Sequence, residues 1–159
     1  MATSQSSSFE QVGSGLSLQA RGIHTILLTA LGATSTLTAA QSGSTVILDS
    51  ATQTITLPAP VAGMRFTFRN TITSVAQKVI TDSASTFLLG RLAAVSLVAG
   101  AGNAFDANGT TIRAIATNGT TTGGIVGDVY TLTALSSTQW FVEGTMAGSG
   151  TLATPFATS

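Results

Sequence analysis

Three observations predict an all-β fold, a β-sandwich or jelly roll with extended N- and C-terminal arms. Short runs rich in Thr, Val, Ile and Phe recur along the chain. Turn residues interrupt them at intervals of roughly eight to twelve residues, a spacing typical of sandwich strands. Gly, Thr and β-branched residues are everywhere too dense for a helix of useful length. The 159 residues suit one domain plus arms and are enough to bury a core. About eight to ten strands are expected at that turn spacing.

Residues 1–15 are mostly Ser, Gln and Gly with a single aromatic, Phe9. They read as an N-terminal arm that orders on contact. Residues 16–146 hold the domain. Its first candidate strand is "HTILLTAL", too short to span a bilayer. "STVILD" and "QTITLP" follow, split by the turn-like "SATQ". Val46 and Leu48 alternate with Thr45 and Asp49, and Ile55 and Leu57 with Thr54 and Thr56, so each strand has a dry face and a wet face. "PAPVAG" must break the ladder, because proline has no N–H to donate. "MRFTFRN" resumes the alternation, with Met64, Phe66 and Phe68 on one face and Arg65, Thr67 and Arg69 on the other. "KVITD" and "AAVSLV" are further strands, joined by the less regular "SASTFLLGRL". Asn108-Gly109 and Asn118-Gly119 suit type I′ turns at either end of a strand in "TTIRAIAT". Both also spell N-x-T, the glycosylation acceptor pattern, but turn chemistry accounts for them. Residues 147–159 form an extended tail with Phe156 as its anchor.

The only tyrosine and the only tryptophan fall together in "GDVYTLTALSSTQWFVEG". A three-residue loop, Ser136 to Thr138, sets Ala134 opposite Trp140, Leu132 opposite Val142 and Tyr130 opposite Gly144. That register gathers the apolar side chains on one face, and burial selects it because a slip of one residue turns every side chain over. Tyr130, Trp140 and Val142 are then core or subunit-interface residues. Phe141 projects from the other face beside Thr131, Thr133 and Glu143, where a neighbouring subunit could cover it. The competing reading is a sugar-stacking platform on Trp140, but only Gln139 and Glu143 supply polar groups nearby.

Charged residues make up 8% of the chain and its formal net charge is zero, against roughly 25% charged in ordinary soluble domains. A surface of Thr, Ser, Gly and Ala associates readily, which implies that much of it is covered in a permanent assembly. Six basic residues scattered among six acidic ones do not make the basic stripe that nucleic acid requires. The N-terminus has neither a basic n-region nor an early apolar run, so no membrane partner is expected. Cysteine is absent and His24 is the only histidine. A nucleophilic triad or a common zinc site is therefore not expected, and neither enzyme activity nor a cofactor is predicted. A calcium site from Asp106, Asn108 and Asp128 is conceivable. Arg65 and Arg69, flanking Thr67 on one exposed strand face, read either as a solvated surface or as a docking stripe for an acidic partner.

Two segments taken together carry a resemblance. "LTAAQSGSTVILDSATQTITLPAPVAGMRFTF" resembles the N-terminal half of bacteriophage virion proteins in which an L-T-x-x-x-S-G opening leads to an "ITLP" strand and a G-x-x-F-x-F strand. "GDVYTLTALSSTQWFVEG" resembles their closing hairpin at Gly127, Asp128, Trp140, Val142 and Gly144. The chain thus resembles small capsid decoration (cement) proteins and some tail-fibre domains. The resemblance implies a β-sandwich or jelly roll, a homotrimer, and a seat on the exterior of an expanded capsid, assembled in the host cytoplasm. The partners implied are the major capsid protein and further copies of the chain. Capsid docking is then expected from Arg65, Arg69, Phe9 and Phe156. The alternative is a receptor- or glycan-binding module of a tail fibre or surface appendage.

Overall fold

A computed structural model describes residues 26–98 and 100–159. The expected N-terminal arm with Phe9, and His24 at the start of the first candidate strand, lie outside the described residues.

Alternation of apolar and polar residues produces two sheets around one core. The strands are β1 (Leu27–Leu28), β2 (Thr34–Thr36), β3 (Thr45–Leu48), β4 (Thr54–Thr56), β5 (Arg65–Asn70), β6 (Gln77–Ile80), β7 (Phe87–Ser96), β8 (Gly102–Asn108), β9 (Ala114–Thr117), β10 (Val129–Ala134), β11 (Gln139–Gly148) and β12 (Phe156–Ala157). One 3-10 turn, Ala39–Gln41, is the sole helical element among the described residues. The larger sheet runs β1-β3-β5-β10-β11-β7-β8 and the smaller β12-β9-β6-β4-β2.

The chain enters this sandwich as a coil. From β1 to β6 successive strands fall alternately in the larger and smaller sheet, so β1, β3 and β5 stack in parallel, as do β2, β4 and β6. Leu27 lies beside Thr45 and Thr45 beside Thr67, steps of 18 and 22 residues. Thr34 lies beside Thr54 and Thr54 beside Lys78, steps of 20 and 24. Apolar side chains align from coil to coil, Leu28 with Val46 with Phe68, and Ile55 with Val79. At one corner Gln53 and Gln77, equivalent positions in consecutive coils, each donate from Nε2 to a carbonyl of the preceding turn. The acceptors are the Gly32 oxygen at 3.1 Å and the Ser50 oxygen at 2.7 Å. These bonds satisfy the amide nitrogens of two buried glutamines and tie consecutive coils together at bends outside the strand ladder. Parallel winding of this kind differs from the antiparallel Greek-key order of a jelly roll, and of the two expected architectures the sandwich is the one built.

The second half closes both sheets. β10 pairs antiparallel with β5, and β9 antiparallel with β6. The expected hairpin register is present: Ala134 faces Trp140, Leu132 faces Val142 and Tyr130 faces Gly144. "SASTFLLGRL" and "AAVSLV" do not make separate elements. β7 runs unbroken for ten residues and lies parallel to β11 along all of them. "GNAFDAN", not anticipated as a strand, is β8. The 147–159 segment also departs from the expected arm. β11 continues to Gly148, and β12 pairs with β9 at the edge of the smaller sheet.

The Asn-Gly turns form by another route than type I′, which requires positive φ at both central residues. Gly109 and Gly119 have φ of +74° and +71°, whereas neither asparagine is in the left-handed region. Instead each Asn side chain closes the turn. Asn108 Oδ1 accepts the Thr110 and Thr111 N–H groups at 3.0 and 2.9 Å, and Asn118 Oδ1 accepts those of Thr120 and Thr121 at the same distances. Their amide nitrogens donate to the Thr111 and Thr121 hydroxyls. Two copies of "NGTT" thus adopt one side-chain-capped geometry.

Candidate functional site

The hairpin aromatics anchor the core. Trp140 is 0% exposed and Tyr130 2%. Phe66 packs on Trp140 with ring centroids 5.9 Å apart and planes inclined by 49°, and Phe68 stacks on Tyr130 at 5.2 Å and 12°. These contacts fix the coiled half against the closing hairpin through the β5–β10 seam. Burial pushes the Tyr130 phenol far above its ordinary range, with the Asp128 carboxylate adding to the shift. A sugar platform on Trp140 is removed by this placement, since no face of the indole reaches solvent. Val142 is likewise interior. Phe141 alone of the four lies on the outer face, half-buried beside Leu89 of β7. Phe156 is 7% exposed within the core, so its ring is engaged inside the domain and is not presented to a partner.

The outer face of the larger sheet brings the remaining candidates together. Arg65 and Arg69 are exposed on β5, flanking Thr67. Arg65 stands beside Thr133, and Arg69 between Ile47 and Val129. The Thr67 and Thr131 hydroxyls meet at 3.3 Å. Neither arginine has an ion-pair partner among the described residues, where Arg91–Asp106 is the one salt bridge. That pair is solvent-exposed on β7 and β8. Its hydrogen bond holds the Asp106 carboxyl below the usual carboxylate range, and exposed pairs of this kind add little to stability. Glu143 lies beside Arg91 in the strand register. The face therefore carries Thr45, Thr67, Thr131, Thr133 and Thr145 among the apolar Ile47, Val129, Leu89 and Phe141, with two arginines that have no ion pair among the described residues on one side and a charge line, Asp106–Arg91–Glu143, on the other.

The conceivable calcium ligands are not assembled. Asp106 is paired to Arg91, and Asn108 caps its own turn. Asp128 is 5% exposed and its two oxygens accept three backbone N–H groups: Gly124 and Ile125 at Oδ2, 2.7 and 3.1 Å, and Ala147 at Oδ1, 2.8 Å. No group of three or more metal-ligating side chains occurs among the described residues. Nor, among them, is any helix long and apolar enough to cross a membrane. An open groove of about 360 Å³ on the smaller sheet is lined by Thr54, Lys78, Asn118, Thr154 and Phe156 among others. Its one cation, Lys78, donates to the Ser159 carbonyl at 3.2 Å.

Asp128 is the polar residue whose structural role was not read from the sequence. It ties the 124–125 loop to β11, and the sole hint is its place at the opening of the hairpin. Burial raises its carboxyl pKa, with the three N–H donors opposing that shift. A raised carboxylate pKa favours the protonated folded state. The contribution of Asp128 is therefore fully present below the ordinary value near 3.8 and is lost as pH rises through the raised one. The difference in urea midpoint between wild type and Asp128→Asn is expected to shift in favour of wild type as pH falls from 6 to about 4; a shift the other way would contradict the assignment.

No protein-family model, no curated protein and no solved structure matches the chain.

Proposed function

We propose that this chain is a structural virion protein that binds the outside of an expanded phage capsid and cements neighbouring major capsid subunits. The observation that carries this reading is the outer face of the seven-stranded sheet, a Thr-rich surface with Arg65 and Arg69 at one side and no ion pair to either among the described residues. Burying hydroxyl and methyl groups costs far less desolvation than burying a charged surface. The two guanidiniums supply orientation and bidentate contacts to carboxylates on the shell. A scaffold whose Trp140, Tyr130, Phe66 and Phe68 are all turned inward suits a passive clamp better than a ligand cleft. The resemblance in the coil strands and in the closing hairpin points the same way, and implies the homotrimer as the bound unit.

The test is co-sedimentation of the full chain with heads of its parent phage, before and after expansion and stripped of the chain. Saturable binding to expanded heads alone is expected. Arg65→Ala with Arg69→Ala is expected to weaken binding at least tenfold, about 1.4 kcal/mol, and to flatten its salt dependence. No binding to expanded heads, or absence of the chain from purified virions, would sink the proposal.

A further inference from the structure

The edges of the two sheets are unequal. β1, β2 and β12 are two or three residues long. β8 is a seven-residue edge strand, Gly102–Asn108, and its pairing with β7 is continuous from Leu89–Asn108 to Val95–Gly102 with no bulge. Sheet edges are ordinarily protected by lysine, proline, bulges or brevity. β8 has none of these, and the charge of its one ionic residue, Asp106, is balanced by Arg91.

The groups that this edge presents follow from the ladder. Gly109 N–H donates to the Leu88 carbonyl at 2.8 Å and Ser96 N–H to the Ala101 carbonyl at 2.7 Å. Hydrogen-bonded pairs alternate along an antiparallel ladder. Residues 101, 103, 105, 107 and 109 therefore turn their backbone groups toward β7. Gly102, Ala104, Asp106 and Asn108 turn theirs outward, where no described strand is hydrogen-bonded to β8.

We propose that β8 pairs antiparallel with β8 of a second copy of this chain, about a two-fold axis at Phe105, joining two seven-stranded sheets into one. The register is self-complementary. Gly102 faces Asn108 of the other copy and Ala104 faces its Asp106, each relation occurring twice. These are four pairs of outward-turned residues, and each pair exchanges two hydrogen bonds. Every outward N–H and C=O of β8 is then satisfied, and Asp106 meets alanine rather than a second Asp106, which avoids like-charge opposition. The two Phe105 residues meet as a non-hydrogen-bonded pair, the closer kind. Phe105 is half-buried against the core, so the contact extends the core across the seam. Beyond Gly102 the hairpin tip carries Leu97 and Val98, 63% and 77% exposed, and comes alongside the Gly109–Thr111 turn of the other copy. This is an isologous interface formed by strand addition. It does not rest on the capsid reading, and it builds dimers rather than the lone trimer that the resemblance implies.

The test is native mass of the full chain by sedimentation equilibrium over a concentration series. Wild type is expected as a dimer. Ala104→Pro removes an outward N–H and no bond to β7, which is where an edge strand accepts proline; it is expected to raise the dissociation constant at least tenfold with unchanged circular dichroism. Ala104→Glu, which keeps the backbone and sets a like charge opposite Asp106 of the other copy twice over, is expected to do the same. A monomeric wild type overturns the proposal, as does a dimer or trimer that survives both substitutions. A monomeric wild type that loses shell binding on Ala104→Glu also overturns it, by assigning the edge to a capsid segment. Dimers that fail to bind expanded heads leave the seam standing and remove the capsid reading instead.

Discussion

Gly90→Ala is expected to destabilise the protein by about 3 kcal/mol or more, from backbone strain combined with a collision that side chains cannot relieve. Gly90 sits in β7 opposite Val142 of β11, with φ at +129°, a conformation that L residues rarely adopt. A Cβ there would lie 2.2 Å from the Val142 carbonyl oxygen and 3.0 Å from its nitrogen. Both are main-chain atoms of the strand that carries Trp140, so relief requires β7 and β11 to part. Two controls separate strain from collision. Gly63 has φ of +92° with nothing within 4 Å of an added Cβ, so Gly63→Ala should cost only the local strain, about 1 kcal/mol. At Gly102 the nearest atom, the Ala94 oxygen, is 3.7 Å away, and Gly102→Ala should be within about 0.5 kcal/mol of neutral. Urea midpoints at constant m decide the matter. A Gly90→Ala protein no weaker than Gly63→Ala would show that β7 and β11 are not in register through this residue.

Gly90 also explains part of what the sequence conceals. Period-two alternation is a local signal, and where it is clean the reading succeeds. "STVILD", "TITLP" and "MRFTFRN" announce β3, β4 and β5, and the need to bury Trp140 with Tyr130 sets the hairpin register. β7 is hidden because "FLLGRL" is apolar on both sides of a glycine, and a glycine there reads as an interruption when its cause is the close approach of Val142. β8 is hidden because at the sheet edge Asn103 and Asp106 need not be apolar. The parallel coiling has no short-range signature: steps of 18, 22, 20 and 24 residues make no repeat that self-similarity could reveal. Only Gln53 and Gln77 mark equivalent corners, and a glutamine before a strand has many other uses. The Arg65 and Arg69 face was legible because its alternation was. Phe156 was misplaced because a short segment after Gly148 and Gly150 looks like an arm until its partner β9 is known.

Trp140→Ala is expected to cost about 3–5 kcal/mol, the range for emptying a large aromatic site in a core. The indole is fully enclosed, lies against Phe66 and stands beside Leu88 and Ala134 in the strand registers. Its neighbours belong to strands β5, β7 and β10, and a cavity among three strands of one sheet cannot collapse without bending it. Trp140→Phe discriminates further. The Trp140 Nε1–H is buried with no acceptor among the described residues, and an unsatisfied buried donor costs about 1–3 kcal/mol. Phenylalanine gives up volume but also removes that penalty, so its net cost should fall below about 2 kcal/mol. The comparison is cleanest in the Ala104→Pro background, where association adds nothing to apparent stability. There, replacing a core tryptophan lowers stability by the same amount at every protein concentration, and in the parent its emission is blue-shifted and indifferent to acrylamide and to sugars. If Trp140→Ala left the isolated subunit as stable as its parent and lowered only its association, the tryptophan would belong to a subunit seam, and the inward packing of the β5–β10–β11 face would have to be abandoned with it.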